Sequence, residues 1–159
     1  MKPRTIGLLV ALVAASTANC SPAPEASEKA IENCLTRVGE DHRYLGALER
    51  AVMGGKVYTR TNRAADGRGD LFTLIFDDNR SALAVFTTPD RLATAIKGEL
   101  TPAQGAGTEF RIAGKDLAAY SAEGRIVLNY GSQATVEWEK GTFGEAAAKP
   151  DLPRNCPPA

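Results

Sequence analysis

Three cysteines hold most of the chemistry this sequence could perform: Cys20, Cys34 and Cys156. An odd count cannot pair internally without leaving one thiol over, so it predicts one bridge and one cysteine with another task. Cys34 falls on the apolar face of a predicted helix and Cys156 lies near the C-terminus. A bridge between them would pin the two ends of the domain together, a closure that the chain-entropy account values at about 4–5 kcal/mol. A buried Cys34 thiol beside a loose Cys156 is the plainer alternative.

Other reactive side chains give weaker signals. His42 is the single histidine. It starts a helix among charged residues, and no glycine-flanked serine elbow or exposed catalytic cysteine stands ready to use it. Asp77-Asp78-Asn79 lacks the alternating ligands, the glycine and the closing glutamate of a calcium loop, and reads as turn chemistry. Glu137 and Glu139 share one face of a strand, where the wet side of an edge strand explains them more simply than a glycosidase pair. Arg68-Gly69-Asp70 and the sequon Asn79-Arg80-Ser81 are short enough to recur by chance. No catalytic residue, metal site or cofactor is expected.

One constellation suggests binding. Thr87 and Thr88 precede a helix, Gly114 and Lys115 precede another, and Asn129, Gly131 and Ser132 form a loop. All three groups are expected at strand ends, where free backbone amides at helix starts attract anions or a peptide carboxylate. They would form a small polar seam if the strand order brings those ends together, and would otherwise be caps and turns.

The elements that must position these residues begin with an export segment. Lys2 and Arg4 precede Ile6 to Ala15, which carries no charge and no polar side chain. That run is too short for a hydrocarbon core of ~30 Å, which takes about 20 residues, but it suits a signal peptide. Small residues follow at Ser16, Thr17 and Ala18. Cleavage after Ala18 fits a small-x-small site. Cleavage before Cys20 fits a partial lipobox, Thr17-Ala18-Asn19-Cys20, resembling bacterial lipoproteins, whose cysteine carries a diacylglycerol. The short, proline-bearing stretch from Ser21 to Ser27 suits a leash. No later stretch approaches a membrane span.

Charge narrows the partners. The chain carries 19 basic and 19 acidic groups, which gives no electrostatic case for nucleic acid. Loss of residues 1–19 would remove Lys2 and Arg4 and no acid, leaving 17 against 19. Membrane attachment would then come from acyl chains and not from polybasic attraction.

Apolar periodicity predicts helices from about Glu25 to Gly39 and over Tyr44 to Val52, then a strand over Lys56–Thr61. Leu71 to Phe76 is apolar almost throughout, which predicts a central strand covered on both faces. Ala82 to Phe86 returns as its antiparallel partner. Thr88-Pro89 starts a helix ended at Gly98. A strand around Phe110 and Ile112, a short helix over Lys115–Ser121, and strands at Ile126–Leu128 and Val136–Trp138 follow. The order predicts an α+β fold: a single domain with a mainly antiparallel or mixed sheet of about five strands and about four helices.

Several of these segments are familiar together. Leu48-Glu49-Arg50-Ala51 with Val57-Tyr58, the run from Leu83 through Phe86-Thr87-Thr88-Pro89 to Leu92, Ile112-Ala113-Gly114-Lys115-Asp116-Leu117, and Leu128-Asn129-Tyr130-Gly131-Ser132 occur in order. Across about Asp41 to Glu139 they resemble the N-terminal domain of the SseB family, named for enhanced serine sensitivity in bacteria. Tyr130 stands where that family prefers proline, and an export signal replaces the family's usual cytoplasmic setting. The resemblance implies a fold and supplies no catalytic residues. The expected organisation is a signal peptide at 1–19, a flexible tether at 20–27, an SseB-like domain at 28–149 and a proline-rich strap at 150–159. The expected protein is non-catalytic and exported to the periplasm or cell envelope. It would be membrane-anchored through Cys20 and act with an envelope protein partner. A soluble periplasmic binding module for a small anion or peptide is the alternative, and an enzyme of unknown class a third.

Overall fold

A computed structural model describes residues 24–61, 71–76, 80–98 and 108–158. Cys20, the export segment, Arg68-Gly69-Asp70 and the Asp77-Asp78-Asn79 turn lie outside the described residues. Helix α1 (Pro24–Glu40) starts inside the segment expected as a tether, and a 3₁₀ turn at His42–Tyr44 leads into α2 (Leu45–Gly54). Both helices form because one apolar stripe of each is buried: Ile31, Cys34, Leu35 and Val38 from α1, and Ala47, Leu48 and Val52 from α2.

The strands are β1 (Lys56–Thr61), β2 (Thr73–Ile75), β3 (Ser81–Val85), β4 (Thr108–Ala113), β5 (Arg125–Leu128) and β6 (Val136–Trp138). Between them lie α3 (Pro89–Gly98) and α4 (Leu117–Glu123), and α5 (Glu145–Ala148) follows β6. The fold is α+β, as the element order predicts. The added helix is α5, a single turn.

β1 and β4 pair antiparallel, and the other strands form a sheet in the order β2–β3–β5–β6. Among the described strands only β3 and β5 run parallel; β2 and β6 join antiparallel. The two sheets meet where Tyr58 of β1 exchanges backbone hydrogen bonds of 2.8 and 2.7 Å with Phe86, just past β3. Thr59, fully buried, donates its hydroxyl to Ala84 O at 2.7 Å in that fork.

The expectation of a central β2 is corrected. The strand lies at the sheet edge, with Ile75 78% exposed. The central strands are β3 and β5, whose Ala82–Val85 and Ile126–Leu128 are buried. An apolar sequence states that a segment favours a pleated, half-buried surface, but neighbours from elsewhere in the chain decide how many sides are covered.

Alternation divides the core between the sheet's two faces. Leu83, Val85, Ile126 and Leu128 join Trp138 and the stripes of α1 and α2 on one side. Ala82, Ala84, Phe86 and Val127 join Tyr58, Leu74 and Leu92 of α3 on the other.

The proline-rich C-terminal segment is docked along α1 and α2. Cys34 and Cys156 form a disulfide with a Cα–Cα separation of 5.3 Å, the bridge the cysteine count predicts. Asn33 Nδ2 donates to Pro157 O at 2.8 Å and Arg37 Nη2 to Pro158 O at 2.7 Å. Arg50 donates to the carbonyls of Ala147, Pro153 and Arg154. Beside it Glu49, 1% exposed, accepts from Trp138 Nε1 at 2.9 Å and from Ala147 N at 2.7 Å. A buried carboxylate is tolerated only when its oxygens are occupied, and both are.

Candidate functional site

Parallel pairing of β3 with β5 sends both strands out at the same end of the sheet. Asn129 N donates to Val85 O at 2.8 Å, extending the ladder by one step, and Asn129 then turns the chain in the left-handed region at φ 56°. Asparagine tolerates that conformation better than most residues because its short amide bonds locally. Gly131, at φ 77°, completes the turn, and Ser132 N returns to Asn129 O at 3.1 Å. Thr135 Oγ1 donates to the same carbonyl at 2.9 Å, and Ser132 Oγ accepts from Ala134 N at 3.2 Å.

The Asn129 side chain faces Thr87. Its Oδ1 accepts from Thr87 N at 2.9 Å and its Nδ2 donates to Thr87 Oγ1 at 3.1 Å. Thr88 caps α3 by accepting from Arg91 N at 3.2 Å. Helix α1 then crosses this corner. Thr87 donates its hydroxyl to Glu32, and Arg91 holds both oxygens of that carboxylate through Nε at 2.8 Å and Nη2 at 2.6 Å. A planar guanidinium fork fits a carboxylate in this two-point way.

Five of the seven residues expected in a seam therefore share one corner: Thr87, Thr88, Asn129, Gly131 and Ser132. Gly114 and Lys115 end β4 at the same end of the fold but serve another purpose. Gly114 N donates to Gly55 O at 2.9 Å, and a Cβ on Gly114 would stand 1.6 Å from Val52 O. Glycine is there because α2 passes too close for a side chain. Lys115 is exposed.

Glu32 and Arg91 are the corner residues that sequence reasoning missed. The available signal was an acid at helical spacing beside the apolar stripe of α1 and a base in the first turn of α3. Glu28, four residues before Glu32, accepts from the Tyr58 hydroxyl. Burial pushes the Tyr58 phenol above its usual range, and the hydrogen bond to Glu28 adds to the rise. The guanidinium of Arg111 lies 5.4 Å from the centre of the Tyr58 ring.

Chemically, the corner is a closed set of partners. The Thr87 amide and hydroxyl, both ends of the Asn129 amide, the Glu32 carboxylate and the Arg91 guanidinium satisfy one another. Such an arrangement stiffens the junction of α1, α3 and the sheet.

The remaining candidates sit apart. His42 is exposed in the turn after α1, where Asp41 accepts from Arg43 N at 2.9 Å and from Arg43 Nε, and the Arg43 guanidinium holds the Asp41 carboxyl below its ordinary range. Glu137 and Glu139 both pair with Arg125 of β5, the latter at 2.7 Å, as cross-strand partners on a sheet edge. Among the described residues no group of three or more His, Cys, Asp or Glu could hold a metal ion, and no helix is long and apolar enough to cross a membrane. No family model, curated protein or solved structure matches the chain.

Proposed function

We propose that this chain is an exported protein of the bacterial envelope, anchored to a membrane by a diacylglycerol on Cys20. Its SseB-like domain acts through protein interaction and not through catalysis. The observation that carries this reading is the Cys34–Cys156 disulfide. Disulfides persist in oxidising compartments outside the cytosol. Pairing those two leaves Cys20 as the third cysteine, directly behind a segment with the charge and length of an export signal. The self-satisfied Thr87–Asn129–Glu32–Arg91 corner supports a rigid module, which suits presentation of a fixed surface to a partner.

Mass spectrometry of protein purified from producing cells, paired with fractionation of a Cys20→Ser variant, tests the proposal. The expected result is an N-terminal Cys20 carrying the mass of a diacylglycerol, with Cys20→Ser released from the membrane fraction. An unmodified N-terminus at Asn19, or a Cys20→Ser protein still bound to membranes, overturns it.

A further inference from the structure

We infer that, on the acylated chain, α1 stands the domain off the membrane with its N-terminal end lowest, so that the Glu28–Tyr58 pair, Lys29 and Arg111 face the lipid headgroups. The opposite end of α1, with Glu40 and the His42–Tyr44 turn, then points away. This rests on the reading that Cys20 carries the lipid.

The tether is short. Ser21, Pro22 and Ala23 alone separate Cys20 from the first residue of α1. Four Cα-to-Cα steps reach at most about 14 Å. The helix is longer than its tether: its 17 residues extend about 25 Å at about 1.5 Å per residue.

It is also fixed to the body along its length. Tyr58 donates to Glu28, Thr87 and Arg91 hold Glu32, and the disulfide binds Cys34 to the strap. From Glu28 onward the helix therefore moves with the body as one piece. A rigid body held at one point beside a wall is excluded from the wall everywhere else, so averaged over its allowed orientations the held end is the lowest.

Only a second surface with affinity for lipid would reverse that order. Among the described side chains of α1, from Glu28 to Glu40, the exposed ones are Lys29, Ala30, Thr36, Gly39 and Glu40. They offer no large apolar side chain on which the helix could lie flat in the interface. The mature balance of 17 basic against 19 acidic groups supplies no polybasic pull. Ile75 is the large hydrophobic residue left exposed among the described ones. A single isoleucine with no large apolar neighbour exposed beside it among those residues is too small a patch to hold the body against the interface.

The test uses the full chain, processed by the producing cells, purified from their membranes and placed in nanodiscs containing a lipid with a nitroxide on its headgroup. Tryptophan is introduced by Lys29→Trp or Glu40→Trp, two exposed positions on the same helix, and the added emission is read over the constant Trp138 background. The expected result is loss of the added fluorescence at position 29 and its retention at position 40. Equal quenching at the two positions, or stronger quenching at 40, in a sample whose mass shows the acylated Cys20 overturns the orientation and leaves the lipid reading standing. A sample without the acyl mass overturns both.

Discussion

Thr87 and Asn129, 42 residues apart in sequence, exchange hydrogen bonds in both directions: backbone amide to side-chain carbonyl, and side-chain amide to hydroxyl. Both are buried, Thr87 at 0% and Asn129 at 1% exposure. The pair locks the parallel junction of β3 and β5 at the point where both strands end.

Asn129→Ala is therefore expected to cost about 2–4 kcal/mol, since it leaves the buried Thr87 amide unpaired and places a residue with a Cβ at positive φ. Asn129→Gly loses the same hydrogen bonds but relaxes the backbone, and should cost less. Urea unfolding of the two variants checks the order; an alanine variant as stable as the glycine one would show that the left-handed conformation contributes nothing.

Loss of the Cys34–Cys156 bridge opens a closure spanning 122 residues and should lower stability by about 4–5 kcal/mol. The comparison is chemical denaturation of the native protein with and without a thiol reductant, alongside a Cys156→Ser variant. An unchanged midpoint on reduction would mean that Arg50, Asn33 and Arg37 hold the strap unaided.

Gly114→Ala forces a methyl group against the Val52 carbonyl, where 1.6 Å is available. Backbone must move, at an expected cost of about 3 kcal/mol or more. Gly124→Ala is the matched control, because nothing lies within 4 Å of its added carbon. Thermal unfolding should show a large fall for the first and a small change for the second.

The Tyr58 phenol is held protonated by burial, with its ionisation raised in the folded state relative to the unfolded one. Its contribution is therefore complete below about pH 10, the phenol's ordinary pKa, and is lost as pH climbs through the higher folded value. Tyr58→Phe should be the less stable protein at pH 8, having lost the bond to Glu28, and the gap should narrow towards pH 11. Melting temperatures across that range decide it; a gap that widens with pH contradicts the assignment.

What could be read from the residues was the local pattern. Periodic apolar residues mark α1 and α2, Thr88-Pro89 marks the start of α3, and three cysteines in one chain already suggest a bridge and a remainder. What could not be read depends on partners far away in sequence. β2 is as apolar as a central strand, yet β1 reaches only its approach, where Phe72 N donates to Arg60 O at 2.8 Å and Leu71 bridges to Thr61, and Ile75 beyond is left exposed. Glu49 sits in the middle of a helix like a solvated acid, and only the arrival of Trp138 and Ala147 makes it a buried acceptor. Glu32, half-buried, likewise meets Arg91 only once α3 is packed against α1. Part of the polar seam was visible as Thr87-Thr88 and Asn129, but Gly114 proved to be a packing position, since α2's closeness to it is a property of the assembled fold.

The docked C-terminal strap also orders events in time. A polypeptide emerges from its N-terminus, and Asn33, Cys34, Arg37, Glu49 and Arg50 all appear early with their partners still unmade. Cys34 precedes Cys156 by 122 residues. Through that interval α1 and α2 wait with unmet amide, thiol and guanidinium groups, and the segment from Pro153 to Pro158 acts as the clasp that meets them. A message or protease that removes those residues would thus leave the opening helices, more than a hundred positions away, without their closing partners.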